Sequence, residues 1–90
     1  MLSTVKNMIS SSGNAVANQF IIEHENGSSV FQSYNSIIVH IDHTGTVTLD
    51  RKFWDYSKTT GKYRNQFLRE TKKETEKKIE SGEYKLADLN

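Results

Sequence analysis

The 90-residue chain contains no cysteine and no proline. Without cysteine there are no disulfides, no thiolate metal sites and no thiol nucleophile, which fits a reducing compartment. Without proline, glycine and asparagine are left to make the turns. Long apolar runs are missing too, and nothing approaches the roughly 20 residues needed to span a bilayer. Met1 to Ser12 separates Leu2, Val5, Met8 and Ile9 by polar residues, so it lacks the continuous apolar stretch of a signal peptide. A cytoplasmic protein with no membrane partner is expected. A chain this short buries only roughly 60–65% of its unfolded surface, so its core is thin and each large apolar side chain matters.

The net charge is only +1, but it is segregated. Met1 to Asp50 has one base against four acids. Arg51 to Lys73 has eight bases against Asp55 and Glu70, and Glu74 to Asn90 has three lysines against five acids. The basic block coincides with the aromatic one.

Residues 1–16 read as a separate N-terminal stretch and 17–90 as one α+β domain. Ser3 to Ser10, with Ser3 or Thr4 as N-cap, would gather Leu2, Val5, Met8 and Ile9 on one side at helical spacing, which predicts either a short docked helix or an arm that orders on a partner. From Ala17 the period changes to two. Phe20 to His24 leads to Asn26-Gly27, a hairpin signal suited to a type I′ turn, and Ser29 to Tyr34 returns. After a polar break at Tyr34–Ser36, readable as a turn or a bulge, Ile37, Val39 and Ile41 alternate with Ile38, His40 and Asp42. The Asp42-His43-Thr44-Gly45 turn leads into Thr46 to Leu49. The expected sheet is a four-stranded antiparallel meander.

Such a meander needs a helix over one face. Ser57 is a candidate N-cap, and Tyr63, Phe67 and Leu68 would face the sheet. Thr71-Lys72-Lys73-Glu74 has the capping-box pattern for a second helix, closed by Gly82. Ile79 is that helix's only aliphatic residue, so most of its surface is expected in water, and Tyr84, Leu86 and Leu89 would pack a final turn onto the body.

Few groups could carry chemistry. Thr59-Thr60-Gly61-Lys62 resembles the end of a phosphate loop, but a P-loop needs glycine and Ser/Thr where Tyr56 and Tyr63 stand. His24, His40 and His43 lie near Asp42, a donor set that could bind a metal, yet sheet and turn histidines in water explain the same pattern. No cofactor and no catalytic residue is expected. The strongest constellation runs from Arg51 to Arg64, where Arg, Lys and aromatic residues interleave. Of these, Trp, Tyr and Arg form protein-interface hot spots, and Arg, Lys and aromatic side chains interleaved in this way also neutralise phosphates and stack on bases. Phe53, Trp54, Tyr63, Phe67 and Leu68 are expected to close the core. Tyr56, Lys58, Lys62 and Arg64 are left as exposed partner contacts.

The stretches Val30-Phe31-Gln32-Ser33-Tyr34-Asn35-Ser36-Ile37-Ile38 and Trp54-Asp55-Tyr56-Ser57-Lys58, with what surrounds them from Asn18 to Asn90, resemble a family of small uncharacterised proteins of tailed phages and prophages. The resemblance implies a setting, the host cytoplasm. It also implies a function: stoichiometric binding and inhibition of a host protein, such as a defence nuclease complex in the manner of an anti-CRISPR protein. A nucleic-acid-binding protein using the same segment is the alternative. A homodimer through an edge strand or the N-terminal stretch is left open.

Overall fold

Three loops of the chain repeat one turn. In residues 10–14, 24–28 and 42–46 the fourth position is glycine. Its N–H donates to the carbonyl of the first residue (Gly13 to Ser10 2.9 Å, Gly27 to His24 3.0 Å, Gly45 to Asp42 2.9 Å). The N–H of the first residue donates in turn to the carbonyl of the last, at 2.8, 2.9 and 3.0 Å. These glycines sit at φ 87°, 92° and 92°, the left-handed residue that closes a three-residue hairpin loop. Asn26-Gly27 therefore turns the chain as expected, but through this longer loop and not a two-residue type I′ turn.

The structure, a computed structural model, describes residues 3–90. Five antiparallel strands follow one another: β1 (Ser3–Ile9), β2 (Ala15–His24), β3 (Ser29–Ser33), β4 (Ser36–Ile41) and β5 (Val47–Asp50). Helices α1 (Lys58–Leu68) and α2 (Lys72–Ser81) come next, and β6 (Lys85–Ala87) then adds to β5 in parallel. The sheet order is β1-β2-β3-β4-β5-β6. The architecture is α+β, with six strands where four were expected.

One extra strand is β1, which replaces the expected N-terminal helix; Leu2, counted on that helix, lies outside the described residues. A helix of that length is marginal in water. Here only Met8 reaches the interior, while Val5 and Ile9 stay 60% and 49% exposed. Pairing along β2, from Ser3↔His24 to Ile9↔Ala15, satisfies the backbone of both strands instead. The other extra strand is β6, which carries Leu86 against Leu49.

Tyr34-Asn35 forms a tight turn with Tyr34 at φ 55°, and the bulge lies further on. Phe31 pairs with Val39 and Gln32 with Ile37, which leaves Ile38 as the additional residue. Ile38 and Val39 are consequently both fully buried. With Met8, Phe31, Val47, Leu49, Tyr63 and Tyr84 they form the core, which Phe53, Trp54, Phe67, Leu68 and Ile79 complete from the helical side.

Asp50 directs the chain out of the sheet toward α1. Its buried carboxylate accepts the N–H groups of Lys52 (3.1 Å), Phe53 (2.8 Å) and Leu89 (2.8 Å). Burial pushes this carboxyl up, and the hydrogen bonds outweigh burial and hold it below the usual aspartate value. One side chain thus fixes both the turn out of β5 and the C-terminal tail.

Candidate functional site

Helix α1 is pinned on its inner side. Ser57 caps it by accepting the N–H of Thr60 at 3.1 Å. The Thr60 hydroxyl meets Ser33 of β3 at 2.8 Å, both groups fully buried. Two turns on, the Phe67 ring stacks on Phe31 at 5.7 Å between centroids. With that side committed to the sheet, Lys58 and Lys62, one turn apart, stand on the exposed side.

Beside this exposed side lies a groove of about 580 Å³. Tyr56, Lys58, Lys62 and Lys72 surround it, over Asp55 and Arg64. Tyr56 is 45% exposed and its ring meets Phe53 edge to face at 5.5 Å. Gly61 lines the groove as well: a Cβ there would stand 3.5 Å from Asp55 Oδ1 and 3.8 Å from both terminal nitrogens of Arg64.

Arg64 departs from the expectation of an exposed contact, for it is fully buried. Nη1 donates to the Trp54 carbonyl at 2.7 Å and to Asp55 Oδ1 at 3.1 Å, Nη2 donates to Asn65 Oδ1 at 2.9 Å, and the guanidinium lies 5.0 Å from the Trp54 ring centroid. Its Nε–H meets no partner among the described residues. Arginine suits this place because its planar head both forks and stacks. Trp54, expected to be core, is half-buried and serves as the plate under that head.

The charges of the groove do not balance. Asp55 is the one acid among its lining residues, and its second oxygen is held by Lys72 at 2.6 Å. Burial pushes the Asp55 carboxyl up, but the hydrogen bonds and charges of Lys72 and Arg64 outweigh it and hold the group below the usual range. The hydrogen bond to Asp55 in turn raises Lys72. Lys58 and Lys62 form no ion pair among the described residues, though Lys62 Nζ lies 5.4 Å from the Tyr63 ring centroid. Four cations thus surround one carboxylate, a field that favours an anion.

Of the four residues expected at a partner surface, the structure brings Tyr56, Lys58 and Lys62 together at the rim and puts Arg64 beneath them. Lys72 joins them without a signal in the sequence. It belongs to a different helix, and nothing local in Thr71-Lys72-Lys73-Glu74 signals that its side chain returns to Asp55. The histidines lie elsewhere. His24 Nδ1 is 2.7 Å from Ser3 Oγ, and Asp42 is occupied within its own turn by Thr44 and Thr46. Among the described residues no group of three or more His, Asp or Glu is placed to hold a metal, and no helix is long and apolar enough to cross a membrane.

Residues 3–83 match the family described as "Family of unknown function (DUF8033)", and the chain belongs to it. No curated protein and no solved structure matches the chain.

Proposed function

We propose that this chain is a non-enzymatic binding module that docks an acidic surface of a partner protein in the groove beside α1. The observation that carries the reading is the charge of the groove, four cations around Asp55, with the exposed Tyr56 ring at its rim. An exposed tyrosine is a typical interface hot spot, and the lysines around the hollow supply charge complementarity to an acidic partner. Arg64 holds the floor rigid and contributes its charge, while Tyr56, Lys58 and Lys62 make the contacts. The setting, a phage protein that inhibits a host defence protein in the host cytoplasm, rests on the resemblance of the Phe-Gln-Ser-Tyr and Trp-Asp-Tyr-Ser stretches alone.

The same groove supports a second reading, because an exposed ring beside lysines also suits a base and its phosphate. The test uses immobilised protein against host lysate and against single-stranded DNA and RNA, with a Tyr56→Ala/Lys58→Ala/Lys62→Ala variant as control. A protein retained by the wild type and lost by the variant is the expected result. Retention by both would remove the groove from the interface. Capture of nucleic acid with affinity falling by nearly one log unit per log unit of salt for each phosphate would favour the second reading.

A further inference from the structure

Local rules are broken at the start of α1. The positive end of a helix dipole favours acids in the first turn. The first turn of α1 has none, and Lys58 stands at its first position, with Lys62 one turn later. The N–H groups of Lys58 and Thr59 have no intrahelical acceptor and no other partner among the described residues. Under them Arg64 is fully buried, and its Nε–H is unpaired. The one carboxylate that Arg64 reaches is shared with Lys72. A buried cation with half a counter-ion, two lysines without an ion pair and the free N–H of Lys58 all belong to residues that border one groove, and an oxyanion there would offset the charge of each.

We infer that this end of the groove is a seat for a dianionic phosphate monoester, borne on a phosphorylated serine or threonine of the partner protein. The inference rests on the binding-module reading above and names the chemistry of its ligand. Charge selects the class. The lining carries four cations and one anion, so its excess exceeds what a single carboxylate or a phosphodiester neutralises, whereas a phosphate monoester brings about −1.5 to −2 at neutral pH. Geometry agrees with charge. Lys58, whose N–H is an orphan donor of the first helical turn, lines the groove, and Thr59 with the next orphan N–H follows it; such donors are how helix ends bind phosphate. The ammonium groups of Lys58, Lys62 and Lys72 serve the remaining oxygens as point charges. The cations cluster around one hollow and do not run in a stripe, which fits one phosphorylated side chain better than a nucleic-acid backbone. Tyr56 then walls the space beyond the seat, where the residues flanking the phosphorylated one would lie.

The test is an amide-shift titration of the ¹⁵N-labelled protein at constant ionic strength. The probes are inorganic phosphate, a phosphoserine peptide, its serine counterpart and a 5′-mononucleotide. Saturable shifts at the Lys58 and Thr59 amides with inorganic phosphate and phosphopeptide are expected. The phosphopeptide should bind at least about tenfold tighter than the serine peptide. Lys58→Glu, which leaves the core untouched and suits the helix dipole, should keep a folded spectrum and lose that preference. Absence of saturable shifts, or an unchanged preference in Lys58→Glu, would overturn the seat. Tighter binding of the mononucleotide than of the phosphopeptide would overturn its assignment to a protein-borne phosphate. A partner that binds without phosphate and is lost by the Tyr56/Lys58/Lys62 variant would sink the seat and leave the binding module standing. A partner retained by that variant would sink both.

Discussion

The two helices of this protein are closed by different means. In α2 the capping devices agree, although Lys72 and Lys73 open it and Glu80 stands in its last turn. Thr71 and Glu74 form a reciprocal capping box, Glu74 sits in the first turn, Lys78 in the last, and Gly82 at φ 85° closes the end. In α1 the cap residue is good and the charges are wrong: Lys58 opens it, no acid follows in the first turn, no base occupies the last, and Arg69 takes the left-handed cap at φ 58° where glycine is preferred. Their attachments differ as well. α1 is bound to the sheet by Tyr63, Phe67 and Leu68. α2 offers Ile79 and otherwise depends on a polar knot around Glu70, whose carboxylate receives the Thr75 hydroxyl (2.5 Å), the Lys78 ammonium (2.8 Å) and the Tyr84 hydroxyl (2.8 Å). That knot pairs one carboxylate with one ammonium, whereas the groove beside α1 does not balance. A helix that carries its own apolar anchor tolerates unfavourable charge at its end. Conflict between local rule and structure is where function is expected.

Three measurements would break or sharpen the contrast. The largest effect should come from Phe67→Ala, which strips the stack on Phe31 and should cost about 3 kcal/mol in urea unfolding. A loss below about 1 kcal/mol would mean that α1 is held by its polar contacts after all. Next, Glu70→Gln should cost about 1.5–2 kcal/mol, the lower part of the range for hydrogen bonds to a charged group, because Lys78 regains water. Burial pushes the Glu70 carboxyl up, and its hydrogen bonds, that of Lys78 foremost, outweigh burial and hold it below the ordinary 4.5. A group lowered in the folded state stabilises above its unfolded value and loses that contribution as pH falls through its folded one. The gap between wild type and Glu70→Gln should therefore persist from neutral pH to about 4.5 and close below it; a gap independent of pH would show that charge plays no part. The smallest effect is the most telling. Lys58→Glu should raise the melting temperature by about 2–4 °C, and Glu74→Lys should lower it by a similar amount, in scanning calorimetry. If both changes destabilise, the start of α1 is not electrostatically strained and the central contrast fails.

Much of the fold was legible in the residues. Ser57 and Thr71 mark the helix starts, Gly82 marks an end, and Phe20 to Leu49 alternates with the period of strands. The clearest misreading, Ser3 to Ser10 as a helix, had its remedy in the sequence. Ser10-Ser11-Ser12-Gly13-Asn14 has glycine in the same place as the loops around Gly27 and Gly45, a hairpin signal that the helical spacing of Val5, Met8 and Ile9 outweighed. The three-residue β6 had no comparable signal, because so short a strand exists only through its partner.

The groove itself was legible only in part. Composition brought Tyr56, Lys58 and Lys62 forward because aromatic and basic residues interleave there. The sequence by itself therefore determined the α+β class, the turns and caps, and the location of the unusual charge. These are local properties, set by backbone preference and by spacing along a few residues. Tertiary structure alone decided that Arg64 lies under the groove and that Lys72 returns to share Asp55. Those outcomes depend on Trp54, Asp55, Gly61 and the start of α2 converging in space, and no window of the chain contains all of them.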